Sequence, residues 1–296
     1  MNEEKKSEEK SISIALCIGM GVFIVLTGLI ALMLATPFEV SDIKAFQNPE
    51  SMWNPLYFFL LIICFTALIL IVLRFGGKRL VYFVMLAAVA VTIYYVMDVL
   101  IPYKHIPLVS TLGLTLLLYK YPEWYVLDAT GLIIGGGAAA IFGISLGILP
   151  VLLLMIILAV YDAIAVYKTK HMVSLAESIV DLRIPVLFVL PRTRNFSLLR
   201  DKDQEEGKSE MEEAFFMGLG DAIIPSMLVV SANCMPAFAY YWGLINAPAL
   251  GALIGTLAGY AVLSRIAGRG KPHAGLPFLN SGAIIGFVIG YMFMVV

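Results

Sequence analysis

The chain is 296 residues long, 60% hydrophobic and only 14% charged, with a net charge of −1, and its mean hydropathy is +0.92. Soluble domains run at about 45–50% apolar and 25% charged residues, so a water-soluble globule is excluded, and the near-zero charge leaves no nucleic-acid footprint. The apolar runs are continuous rather than alternating, so the fold class is all-α: a polytopic membrane protein of helices, not a barrel.

Nine spans are predicted, at roughly 12–35, 55–73, 80–98, 106–119, 127–147, 150–167, 213–233, 242–264 and 277–295. A helix needs about 20 residues to cross the bilayer. The charged stretch Met1–Lys10 precedes an apolar run from Ile12 to Ala35. That run exceeds the roughly 7–15 residues of a signal-peptide core, so it reads as a retained first span. The fourth span is short. The fifth carries Gly131, Gly135, Gly136, Gly137 and Gly143, which let a neighbouring helix approach its backbone. The turn Gly147-Ile148-Leu149-Pro150 is so short that spans five and six are expected to be antiparallel neighbours.

Lys and Arg set the orientation. With the N-terminus in the cytoplasm, 18 of the 20 Lys and Arg residues fall on inside segments, and only Lys44 and Lys104 fall outside. The chain then divides into 1–167 with spans one to six, a cytoplasmic loop 168–212, and 213–296 with spans seven to nine. Within the loop, Lys170–Asp181 is moderately amphipathic, Ile184–Leu190 is a strand-like apolar run bracketed by Pro185 and Pro191, and Asp201–Glu213 is charge-dense. No internal repeat supports an inverted-repeat transporter.

Two acids stand inside apolar runs: Asp162 in Leu152–Val166 and Asp221 in Ala214–Val230. A charge near mid-membrane is costly unless neutralised, paired or wetted. Span six exits at Lys168 and span seven enters at Glu213, so each acid lies within eight residues of the cytoplasmic side. At about 1.5 Å per residue both carboxyls lie on the order of 10 Å below that surface. Two close carboxyls in low dielectric cannot both ionise, so they share a proton, as the paired acids of aspartic proteases do. The bland alternative is a buried polar pair that ties two helices together, and a proton- or cation-coupled transporter or leak channel would use the same two acids. Gly218 and Gly220 suit a place where a substrate backbone comes close.

Other polar residues carry less. Cys17, Cys64 and Cys234 have no pairing spacing and read as small hydrophobes. His105, His171 and His273 sit at loop or span edges with no HExxH pattern, so no metal and no cofactor are implied. Asp98 and Asp128 lie at span ends, where interfacial solvation accounts for them. Tyr94, Tyr95, Trp53, Trp124 and Trp242 fit interfacial belts.

With Tyr161-Asp162 in span six and Gly218-Leu219-Gly220-Asp221 in span seven, the chain resembles the presenilin and signal-peptide-peptidase family of intramembrane aspartyl proteases, over essentially its whole length. The short loop points to a microbial presenilin homologue. A prepilin-peptidase-like enzyme shares the Gly-x-Gly-Asp motif but has a different topology. The resemblance implies an aspartic endopeptidase with Asp162 and Asp221 catalytic, acting on transmembrane helices of other proteins within the bilayer, with a homo-oligomer allowed. It also implies a Pro-Ala-Leu motif at the start of span nine. Pro277-Phe278-Leu279 has that place with Phe for Ala, whereas Pro248-Ala249-Leu250 matches literally but lies inside span eight, where Pro248 is expected to kink the helix. Position outweighs spelling, so Pro277, Phe278 and Leu279 are preferred. Ile184–Leu190 is a candidate strand for pairing with an unwound substrate. Tyr161 is expected to pack, because one residue along a helix turns it about 100° from Asp162. The chain is expected to be a multi-pass protein of the cell membrane, and nine spans from a cytoplasmic N-terminus put the C-terminus outside.

Overall fold

The computed structural model describes residues 2–103, 105–169, 186–193, 196–198, 214–235, 240–241, 243–267 and 274–295. The expected amphipathic Lys170–Asp181 and charged Asp201–Glu213 segments, with His171, Trp242 and His273, lie outside the described residues.

Among the described residues the chain forms helices α1 (Asn2–Val40), α2 (Asn54–Arg74), α3 (Lys78–Leu100), α4 (Ile106–Lys120), α5 (Trp124–Ser145) and α6 (Ile148–Ile164). A π-helical turn, Ala165–Thr169, continues α6. Strands β1 (Leu187–Pro191) and β2 (Ala214–Gly218) follow, then α7 (Leu219–Asn233), a short hairpin of β3 (Tyr240–Tyr241) and β4 (Ile245–Asn246), α8 (Ala247–Ala267) and α9 (Leu276–Val295). Seven helices are long and apolar enough to cross a membrane, while α4 and α7 are shorter. Both hold 15 residues, or about 22 Å, against a hydrocarbon core of about 30 Å.

The predicted span 213–233 is therefore two elements. Ala214-Phe215-Phe216-Met217-Gly218 is extended and pairs antiparallel with β1, Leu187 opposite Gly218 and Pro191 opposite Ala214. The aromatic pair favours a strand, and Gly218, extended at ψ 135°, hands the chain to α7. Non-helical backbone survives at membrane depth only where protein or a wet cavity covers it. Here Met20, Ile24, Phe188, Met217, Leu219, Ala222, Tyr260 and Leu279 pack into one buried cluster around the sheet, and Phe23 stacks on Phe188 with ring centres 4.7 Å apart.

Helix α5 is the centre of the bundle. A Cβ at Gly136 would lie 2.8 Å from Ile30 Cβ of α1, and one at Gly143 would lie 2.5 Å from Val230 Cβ of α7, so both glycines permit contacts that a side chain would block. Helices α8 and α9 meet in the same way: a Cβ at Gly255 would stand 2.9 Å from Gly286 Cα.

Three further expectations are corrected. Helix α6 is not packed along α5; it lies against α2, α7 and α9. The extended link Leu146–Gly147 redirects it, held by Gly147 N–H on Pro49 C=O at 2.9 Å and Ser231 Oγ on Leu146 C=O at 2.7 Å. Pro248 does not kink a span: α8 begins at Ala247, so the proline sits in the first turn, where its missing N–H costs nothing. Asn246 caps that turn, its Oδ1 accepting the Ala249 N–H at 2.9 Å. Asp128 is not a solvated interfacial acid: it is 4% exposed, because β1 folds over that end of α5 and its Val189 N–H donates to Asp128 Oδ1 at 2.7 Å.

Candidate active site

Asp162 sits near the C-terminal end of α6 and is 6% exposed. Asp221 is in the first turn of α7 and half-buried. The two acids converge on one stretch of backbone at the start of α9. Asp162 Oδ2 accepts the Leu276 N–H at 3.1 Å. On the other side, a Cβ at Gly275 would lie 3.0 Å from both Oδ1 and Oδ2 of Asp221. Adjacent residues thus touch the two carboxyls, and the acids stand close enough to act on each other electrostatically.

The neighbouring motif residues divide by position. Gly218 ends β2, and a Cβ there would be 3.6 Å from Asp221 Oδ2. Gly220 is exposed, with open space where a Cβ would point. Leu219, between them, turns inward at 5% exposure and packs with Phe188 and Leu279. One face of the loop is thus anchored while the other lies open beside Asp221. Tyr161 is turned away from this cleft and meets Phe59 of α2 edge-on, with ring centres 5.7 Å apart.

Pro277 lies in the first turn of α9, directly after the Leu276 N–H that meets Asp162. Phe278 applies its backbone to Gly259 of α8, and Leu279 is fully buried. Because α8 and α9 run antiparallel, Ala247 and Pro248 lie beside Gly290. Gly290 is 13 residues beyond Pro277, which corresponds to about 20 Å along a helix. The structure therefore brings Pro277 to the acids and keeps Pro248-Ala249-Leu250 at the other end of the bundle.

Two residues near the acids were not singled out from sequence. Gly275 is the first; the available signal was a glycine immediately ahead of Leu276-Pro277, where the chain must turn into a helix. The second is Asn280, 1% exposed, whose Nδ2 donates to Met155 C=O of α6 at 2.9 Å. With Leu276 on Asp162, it ties α9 to α6 at two levels. Among the described residues no three His, Cys, Asp or Glu side chains gather as a metal site.

A bundle of membrane-length helices that offers two buried or half-buried aspartates to one backbone turn defines a polytopic membrane protein with a paired-acid site. A family profile described as signal-peptide peptidase, presenilin aspartyl protease matches residues 20–296, and the chain belongs to this family. Two solved structures of a presenilin family intramembrane aspartate protease are similar. The one in a C222 crystal form has a TM-score of 0.70 at 38% identity, covering 94% of this chain and 99% of the other. The one in a P2 form has a TM-score of 0.68 at 36% identity, covering 93% and 97%. No curated protein matched. The chain is an intramembrane aspartate protease, a peptide hydrolase acting on transmembrane segments in the bilayer. The transporter alternative finds no support in these likenesses.

Proposed function

We propose that Asp162 and Asp221 are the two catalytic acids, sharing one proton and a water between them. The ionised carboxylate takes a proton from the water, whose oxygen bonds to the scissile carbonyl carbon. The protonated carboxyl gives its proton to the carbonyl oxygen, forming a neutral gem-diol. Collapse of that diol breaks the C–N bond as its O–H gives a proton to the now ionised carboxylate, while the carboxyl that took the water proton passes it to the departing amine nitrogen. The observation that carries this reading is the convergence of both acids on Gly275–Leu276. The Leu276 N–H that Asp162 accepts orients its carboxyl, so the pair is held ready before substrate arrives.

A helical substrate hides its peptide bonds and must become extended. The Leu219 N–H donates to Val186 C=O at 3.0 Å. Alternation in an antiparallel ladder then directs the backbone groups of residues 215 and 217 to β1 and those of Phe216, with the Gly218 N–H, to the opposite edge. Among the described residues no further strand pairs at that edge, which ends three residues before Asp221. A substrate strand added there would lay its peptide bonds across the acids. The role first assigned to Ile184–Leu190 thus passes to β2: β1 is the supporting strand and β2 the receiving one. Gly218 and Gly220 leave room for the incoming backbone, Leu219 anchors the loop, and Pro277, Phe278 and Leu279 hold the turn that meets Asp162. Tyr161 packs α6 on α2. The N-terminus lies in the cytoplasm and the C-terminus outside, with loop 168–212 joining the two acid-bearing parts, 1–167 and 213–296.

Cleavage of a purified single-span test substrate decides the catalytic assignment. Asp162→Asn and Asp221→Asn should each lose roughly 10²- to 10⁴-fold in rate, the usual contribution of a general acid or base. Either variant cutting at the wild-type rate would remove that acid from the mechanism.

A further inference from the structure

Asp128 is a third acid inside a membrane-length helix, and a two-acid mechanism gives it no role. One oxygen, Oδ1, accepts the Val189 N–H at 2.7 Å; the other, Oδ2, is buried without a partner. Burying a carboxyl at membrane depth is costly, and an apolar side chain there would avoid that cost. What an apolar side chain could not do is take the Val189 N–H. Val189 lies on the edge of β1 that faces away from β2, by the same alternation that opens the edge of β2. Asp128 therefore closes one edge of the sheet, while among the described residues no strand pairs at the other edge, along β2.

The same helix end holds the chain beyond β1. Glu123 Oε1 accepts the Ser197 hydroxyl at 2.5 Å, and its Oε2 accepts the Leu198 N–H at 3.2 Å. Gly131, one turn after Asp128, gives room to the sheet: a Cβ there would lie 3.2 Å from Leu219 Cδ1 and 3.3 Å from Phe188 Cε1. A continuous path runs from α5 through Asp128 to Val189, across the β1–β2 ladder to Gly218, and three residues on to Asp221.

The geometry points to Asp128 as a positioning residue, which pins β1 to α5 and so sets the register of β2 and the placing of Asp221 against the scissile bond. Its effect on the cut position rests on the reading that β2 receives the substrate strand; its effect on the placing of Asp221 does not.

The test compares wild type with Asp128→Asn, Asp128→Leu and Val189→Pro on the single-span substrate, reading kcat, KM, product masses and the thermal midpoint. Asn keeps an acceptor oxygen, so its kcat should stay within about threefold of wild type with the same cut bond. Leu removes the acceptor, and Pro at 189 removes the donor without touching a ladder bond. Both should lose roughly ten- to a hundredfold in kcat with KM little changed, and their cuts should spread to neighbouring bonds. The inference is overturned if Leu keeps the wild-type kcat and cut bond, if Asn falls as far as Leu, or if every loss follows the thermal midpoint while the cut bond stays put. A Phe216→Pro variant that cuts like wild type would remove the substrate-strand reading alone; a kcat loss in Asp128→Leu that Asn rescues would then still support the placing of Asp221.

Discussion

A methyl group on Gly275 would sit 3.0 Å from both carboxylate oxygens of Asp221, closer than carbon and oxygen normally approach. Gly275→Ala must therefore push Asp221 or the turn by a few tenths of an ångström. Errors near 1 Å in a catalytic group can cost about a hundredfold in rate, so a loss on the order of tenfold in kcat is expected here. The fold should be spared, because the contact is with one carboxyl and not with a packed backbone. A variant with wild-type kcat, measured on the single-span substrate, would show that the acids tolerate more displacement than their contact with this turn suggests. Gly275 escapes a reading of motifs because glycines are common at helix starts; its meaning comes only from what the fold sets beside it. Asp128 shows the reverse. Its place four residues into α5 suggested solvent, and only the return of β1, some sixty residues later, buries it.

Among the elements, β2 departs most from its sequence reading. Ala214–Gly218 is apolar and adjoins an apolar helix, and a short apolar run carries no periodicity that separates strand from helix. The strand exists because β1 is there to pair with it, a long-range fact that local composition does not hold. Its free edge yields a prediction. Phe216→Pro removes the edge N–H while keeping the ladder to β1, so kcat/KM should fall by about tenfold, the worth of one well-placed hydrogen bond, with cuts displaced along the substrate. Unchanged cleavage would exclude strand addition at β2. The α8–α9 pair makes a second element-scale case. Gly255 and Gly286 are in mutual backbone contact, so Gly255→Ala forces the helices apart. A cost of roughly 1–3 kcal/mol follows from overpacking, to be read as a lower midpoint of thermal unfolding in detergent. An unshifted midpoint would mean that the pair slides apart without loss.

Over the whole molecule, the order and type of the helices are readable because a bilayer demands long apolar segments and the chain provides them. Their neighbours are not: a tight turn between spans five and six implied a hairpin, yet α6 lies on α2, α7 and α9. Helices in lipid lack the hydrophobic drive that makes sequence neighbours pack, and small residues and polar contacts choose the partners instead. Orientation rests on a different physical basis, the distribution of charge. Loop 168–212 carries eight of the 20 Lys and Arg residues, and the proposed orientation, with that loop in the cytoplasm, follows from this bias. With Cys17, Cys64 and Cys234 replaced, Lys44→Cys should react with a membrane-impermeant maleimide on intact cells, and Lys202→Cys only after the membrane is opened. The opposite pattern would turn the protein over and put its acids within reach of external water, so the label decides from which side the second reactant of the hydrolysis arrives.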